Sequence, residues 1–168
     1  MVLIFCSSKQ SVKQLTRDLQ RAGIKADEIH SDLDQDKRED VLMQFKSRRL
    51  PILIATDILS RGIDIDTIDV VINYDVPGDG EDYVHRIGRT ARAAAEGTAY
   101  TFISPREQRK FLSIEKLLGK EVTKAKVPEE FGEVPAYNTA PQRTSGGGNR
   151  NFSKPRRFNN NNSQSKDK

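Results

Sequence analysis

The densest chemistry in the sequence lies in His85-Arg86-Ile87-Gly88-Arg89-Thr90-Ala91-Arg92. On a helix, His85, Arg89 and Arg92 fall at i, i+4 and i+7 and share one face, and Arg86 neighbours Arg89. Like charges so placed repel, so the stripe makes sense where a polyanion neutralises it. Guanidinium forks bind phosphate oxygens in pairs. An arginine aimed at a γ-phosphate raises a transfer rate by roughly 10³–10⁵. Taken alone, the stripe also reads as a solvated basic face.

A second constellation is Ala55-Thr56-Asp57-Ile58-Leu59-Ser60-Arg61-Gly62-Ile63-Asp64, directly after the apolar run Ile52–Ala55. Ligands of open α/β sheets collect at the carboxyl ends of strands, where Thr56 and Asp57 would sit. Gly62 permits close approach of backbone, and Asp64 could accept hydrogen bonds from a ribose hydroxyl. The plainer alternatives are a Thr-Asp helix cap and a local Arg61–Asp64 ion pair. A phosphate-cradling P-loop does not occur, since the single Gly-Lys, Gly119-Lys120, precedes Glu121. Neither a nucleophile elbow nor a dinucleotide fingerprint is present. The chain is therefore not expected to hold and hydrolyse a nucleoside triphosphate unaided.

Positioning these residues requires a sheet. Short, continuous apolar runs at Val2–Cys6, Ala26–Ile29, Ile52–Ala55, Val70–Tyr74 and Thr98–Ile103 read as strands buried on both faces. Helical patterns lie between them: Val12, Leu15 and Leu19 in one, and Val41, Leu42 and Phe45 after an Asp36/Glu39 capping box in another. A helix N-capped by Ser104, with Pro105 at N1, Glu107 completing the box, and Phe111 and Leu118 as core, is stopped by Gly119. A last strand over 121–126 would close the edge. The alternation predicts an α/β domain over 1–126, a mostly parallel sheet with helices on both faces. An apolar strand at the very start fits a piece cut from a longer protein.

Charge divides the chain. The net +4 splits into 21 basic and 23 acidic residues over 1–135, and seven basic residues and one acid over 136–168. That last stretch, with Gly146-Gly147-Gly148 and Asn159–Asn162, buries too little apolar surface to offset its ordering entropy and is expected to be disordered. Its arginines, with Phe152 and Phe158, could bind single-stranded nucleic acid by charge and stacking, or only solubilise the chain. Residues 127–135 are expected to pack on the domain through Phe131 and Val134. No apolar run approaches a membrane span or a signal peptide. One cysteine, Cys6, excludes a disulfide framework and suits the cytoplasm. Cys6 reads as core, His30 as a turn or interface residue, and Tyr83 as packing beneath the arginines rather than stacking on a nucleotide.

Leu3-Ile4-Phe5-Cys6-Ser7-Ser8, Gln35-x-x-Arg38, Thr56-Asp57-x-x-Ser60-Arg61-Gly62-Ile63-Asp64 and His85-Arg86-x-Gly88-Arg89-x-x-Arg92, in that order, resemble the C-terminal RecA-like lobe of DEAD-box RNA helicases. The resemblance covers about residues 2–126. Ala93–Gly97, Ile114–Leu118 and the basic tail resemble the bacterial RhlE subgroup. It implies a catalytic set of Arg89 and Arg92 as arginine fingers, with His85 and Arg86 coupling to the acidic motif of the other lobe. Gly62, Asp64, Arg89 and Arg92 would meet ATP, which is held with Mg²⁺ mainly by that missing N-terminal lobe. Ser7, Ser8, Arg38, Thr56 and Asp57 would hold an RNA backbone without reading bases. The sequence departs from the family at Ser60 (usually Ala), Ala91 (often Gly) and Ser31 (usually Gly). The implied partners are RNA and the N-terminal lobe, with a monomer as the expected state. The alternative is a non-catalytic RNA-binding or scaffold module.

Overall fold

In the computed structural model, the described residues are 1–57, 68–90 and 97–137. Five strands form one all-parallel sheet: β1 (Val2–Phe5), β2 (Ala26–Ile29), β3 (Ile52–Ala55), β4 (Val70–Asn73) and β5 (Thr98–Thr101). Their order is β2-β3-β1-β4-β5. The register sets Ile29, Ala55, Phe5, Asn73 and Thr101 in one row, so the strands end level at their carboxyl termini. The chain moves from β1 towards β2 but from β4 towards β5. The reversal places the topological switch point between β1 and β4, where open sheets of this kind bind ligands.

Side chains alternate across the sheet and build two cores. Leu3, Phe5, Leu53, Ala55 and Val71 pack with Val41 and Phe45 of α2 (Gln35–Lys46) on one face. Ile4, Cys6 and Ile54 pack on the other with Val12, Leu15 and Leu19 of α1 (Lys9–Arg21). A third cluster joins Tyr83 of α3 (Gly80–Ile87) to Phe111 and Ile114 of α4 (Gln108–Leu118), with Val76 beneath them.

Several expectations are corrected in detail. The cap of α2 is Asp34, whose carboxylate accepts from Lys37 N–H, not an Asp36/Glu39 box. The Ser104 and Glu107 contacts do form, since Glu107 Oε2 accepts from the Ser104 N–H at 3.2 Å and hydroxyl at 2.5 Å. Regular helix begins only at Gln108, because Glu107 Oε1 also reaches back to Val76 N–H. Gly119 takes φ +65°, the left-handed stop expected of it. Strand β5 is not buried on both faces: Thr98, Ala99 and Tyr100 are exposed.

No strand forms over 121–126. Instead the segment folds back along α4, where Glu115 accepts from Val122 N–H at 2.8 Å and pairs with Lys124. Lys124 lies over the rings of Phe111 and Tyr137, and Gln108 donates to the Ala136 carbonyl at 3.1 Å. Residues 127–135 do not dock through Phe131 and Val134, which are 73% and 54% exposed. The buried Glu115 carboxylate and the packing of Val122 on the third cluster hold this strap, rather than Phe131 and Val134. The segments 58–67, 91–96 and 138–168, with the roles expected of Ser60, Gly62, Asp64, Ala91, Arg92 and the tail, lie outside the described residues.

Candidate RNA-backbone and phosphate site

At the carboxyl rim, the chain's functional candidates sort into those engaged inside the protein and those turned outward. Arg86 belongs to the first group. It is 2% exposed, and its Nε and Nη2 donate to the two carboxylate oxygens of Asp57 at 2.5 and 2.6 Å. Nη1 donates to Asn73 Oδ1 and to the Asp75 carbonyl, both at 3.2 Å. The guanidinium lies 5.2 Å from the centroid of Phe5. This planar fork matches a carboxylate bidentately, a geometry a lysine could not supply.

The expected stripe is therefore revised. Helix α3 ends at Ile87, and the Arg89 and Thr90 amides close tighter i→i+3 turns onto Arg86 and Ile87. Arg86 points inward as a clamp joining the ends of β3 and β4 to α3, where the half-buried Asp57 carboxylate and the buried Asn73 amide oxygen take its donors. His85 is exposed and Arg89 half-buried. Asp57, expected on the RNA backbone, has both carboxylate oxygens engaged by Arg86. Thr56, half-buried, precedes it at the end of β3.

The loop after β1 carries Ser7 and Ser8. Ser8 is the N-cap of α1, its hydroxyl oxygen accepting from Ser11 N–H at 3.1 Å. Ser7 gives both its amide and its hydroxyl hydrogens to Asp75 Oδ2, at 3.0 and 2.9 Å. Phosphate oxygens only accept, and in this structure both Ser7 donors are committed to Asp75, so Ser7 anchors the loop. Arg38 is held loosely. Its Nη1 and Nη2 reach Gln35 Oε1 and the Leu33 carbonyl only at 3.4 Å, and its enclosed Nε has no hydrogen-bond partner among the described residues. A half-buried guanidinium with such weak bonds is primed for an anion.

Nearby residues confirm the bland readings. Cys6 is fully buried, and burial, with the Asp75 charge beside it, pushes its thiol up to about 12. His30 is 2% exposed; its Nδ1 accepts from Asp32 N–H, so the other nitrogen carries the hydrogen that Glu28 accepts. Tyr83 packs as expected rather than lying open for stacking, but its partner is Phe111, edge-on at 5.7 Å inside the third cluster. Ser31 has no positive φ, so its turn does not require the glycine usual there. Sequence reasoning missed Asn73 and Asp75. The signal was present in polar residues that close the apolar run Val70–Ile72 at a strand's carboxyl end.

Comparison with known proteins shows the family. Residues 1–94 match the family model described as helicase conserved C-terminal domain. DEAD-box ATP-dependent RNA helicase 46 of Arabidopsis thaliana is 47% identical over 133 residues, 79% of this chain and 20% of its own length. ATP-dependent RNA helicase DbpA of Bacillus subtilis is 44% identical over 128 residues, 76% of this chain and 27% of its own length. The solved C-terminal domain of the DEAD-box protein Dbp5 is 35% identical with a TM-score of 0.64, covering 70% of this chain and 69% of that one. The Escherichia coli DEAD-box protein SrmB, solved bound to regulator of ribonuclease activity A, is 31% identical with a TM-score of 0.72, covering 80% and 81%. The chain belongs to the helicase conserved C-terminal domain family, as the C-terminal lobe of a DEAD-box helicase. It spans about a fifth of the length of the first curated relatives it matches.

Proposed function

We propose that this chain is the second lobe of an ATP-dependent RNA helicase that separates short duplexes locally. In this reading, ATP with Mg²⁺ is bound mainly by an N-terminal lobe of the same protein, and supplies the free energy for closing and reopening the two lobes. This chain's part is to present Arg89 and Arg92 to the γ-phosphate, with Gly62 and Asp64 at the ribose and phosphates and His85 facing the other lobe. Arg86 and Asp57 act through each other to hold the rim. Ser8, Thr56 and Arg38 contact the phosphate backbone of RNA without reading bases.

The observation that carries the reading is the under-satisfied Arg38 guanidinium, in the first turns of the helix that follows β2. Three further assignments accompany it. The helicase domain comprises 1–126, with the segment to Tyr137 held on α4, and the basic residues of 136–168 add a second RNA contact. The Ala93–Gly97 and Ile114–Leu118 segments and the composition of the tail support the RhlE subgroup. The single buried thiol suits the cytoplasm, and the protein is taken to act as a monomer.

The test is fluorescence anisotropy of labelled single-stranded RNA with the full chain and with residues 1–137, at two salt concentrations. Residues 1–137 are expected to bind weakly, with a log–log salt slope of about −0.7 per phosphate contact, and Arg38→Ala to shallow that slope by about one contact. Binding by 1–137 that Arg38→Ala and Thr56→Ala both leave intact would sink the groove assignment. RNA-stimulated ATP hydrolysis by the chain alone, resistant to Arg89→Ala, would sink the two-lobe reading.

A further inference from the structure

The switch point between β1 and β4 is bridged by a side chain to which the family resemblance assigned no role. Asp75 Oδ2 accepts both donors of Ser7, while Asp75 Oδ1 is enclosed with no hydrogen-bond partner among the described residues. The Asp75 carbonyl accepts from Arg86 Nη1 at 3.2 Å. Ser7 is the one residue between Cys6, fully buried at the end of β1, and Ser8, the N-cap of α1. Whatever holds Ser7 therefore sets the direction in which Ser8 and the first turn of α1 are presented.

We infer that Asp75 is the positioning residue of the RNA-backbone loop, fixing Ser8 through Ser7 and tying that loop to the Arg86–Asp57 clamp. The inference rests on the reading of Ser8, Arg38 and Thr56 as backbone contacts. Two donors on one ionised oxygen make a charge-assisted pair, which is stronger and more directional than a neutral one. A carboxylate with one buried oxygen left without a donor is not what stability alone selects. Its placement makes sense where the loop must be held still between two states of the site. Through Arg86, movement of α3 would be felt at Ser7, so the arginine and RNA sides of the lobe share one set of hydrogen bonds.

The experiment is a titration of the full 168-residue chain, labelled with ¹⁵N, with single-stranded oligouridine, following backbone amides. In the parent chain the amides of Ser7, Ser8, Arg38 and Thr56 are expected to respond. In Asp75→Ala the sheet amides keep their dispersion, and the Ser7 and Ser8 responses collapse. Those of Arg38 and Thr56 persist, with affinity at this site weaker by about three- to tenfold, the size of one net hydrogen bond. Asp75→Asn, which keeps an acceptor for Ser7, restores most of the response, a rescue that general destabilisation would not produce. Should Asp75→Ala fail to fold, Ser7→Ala decides, because it removes one of the two bonds: a reduced Ser8 response supports the inference, an unchanged one overturns it. A folded Asp75→Ala with parental responses and affinity, or an Asp75→Asn no better than Asp75→Ala, also overturns it. A parent chain in which Ser8, Arg38 and Thr56 are all silent refutes the RNA reading itself, a failure distinct from the others.

Discussion

Removing Asp57 should destabilise this lobe through a single buried group. Arg86 is 2% exposed, so Asp57→Ala strands a guanidinium that has lost its bidentate partner. Breaking a fully buried pair from one side typically costs 3–5 kcal/mol, roughly. Two features reduce that here: Asp57 is 26% exposed, and Arg86 keeps Asn73, the Asp75 carbonyl and the Phe5 ring. Discounting for solvent screening gives an expected loss of about 2–3 kcal/mol, a large share of the 5–15 kcal/mol of a typical domain. Arg86→Met should cost less, about 1–2 kcal/mol, because the released carboxylate can turn to water while the methionine still packs on Phe5. The assay is urea unfolding of the full chain followed by circular dichroism, completed as a double-mutant cycle. Asp57→Ala/Arg86→Met should fall short of the sum of the single losses by at least about 1.5 kcal/mol. Additivity within about 0.5 kcal/mol would show the two side chains uncoupled and refute the clamp.

Three more outcomes are expected. The Cys6 thiol, pushed up to about 12 chiefly by burial, stays protonated in the folded chain where the unfolded thiol, near 9, ionises. The unfolded state then binds fewer protons, so stability should fall as pH rises from about 9 towards 12, and Cys6→Ala should flatten that slope in a pH series of unfolding curves. Burial alone would raise the Glu115 carboxyl, but Lys124 and the Val122 N–H outweigh it and hold it low. Its contribution is present above the ordinary glutamate range and is lost as pH falls through the lowered value. Limited proteolysis within 121–137 should accelerate at that acid end, and Glu115→Ala should show the same cleavage at neutral pH. Gly119→Ala should cost about 1 kcal/mol by unfolding, and Gly119→Asn less, because φ is +65°.

The α/β alternation, the cores of β1 and β3, Val12 and Leu19 of α1 and the stop at Gly119 were all legible, because each depends on local periodicity or a local backbone demand. The rim was legible too, since apolar runs end where polar residues begin. The strap was not: an isolated Glu-Val-Thr-Lys reads as a strand, and the buried Glu115 carboxylate of α4, with a place for Val122 on the third cluster, turns the segment back.

What the sequence determined by itself is therefore the strand–helix alternation and the points where apolar runs give way to polar residues at strand ends, as at Ser7 and Thr56. Which of them face outward was decided by tertiary structure. Arg86 and Arg89 are the same residue type three positions apart, yet one is buried against Asp57 and Phe5 while the other lies beyond the helix end. The difference arises because β3 and β4, distant in sequence, deliver Asp57, Asn73 and Asp75 around one point. The half-buried Asp57 carboxylate and the buried Asn73 amide oxygen there take donors, and Arg86 is the side chain the turn of α3 brings to them.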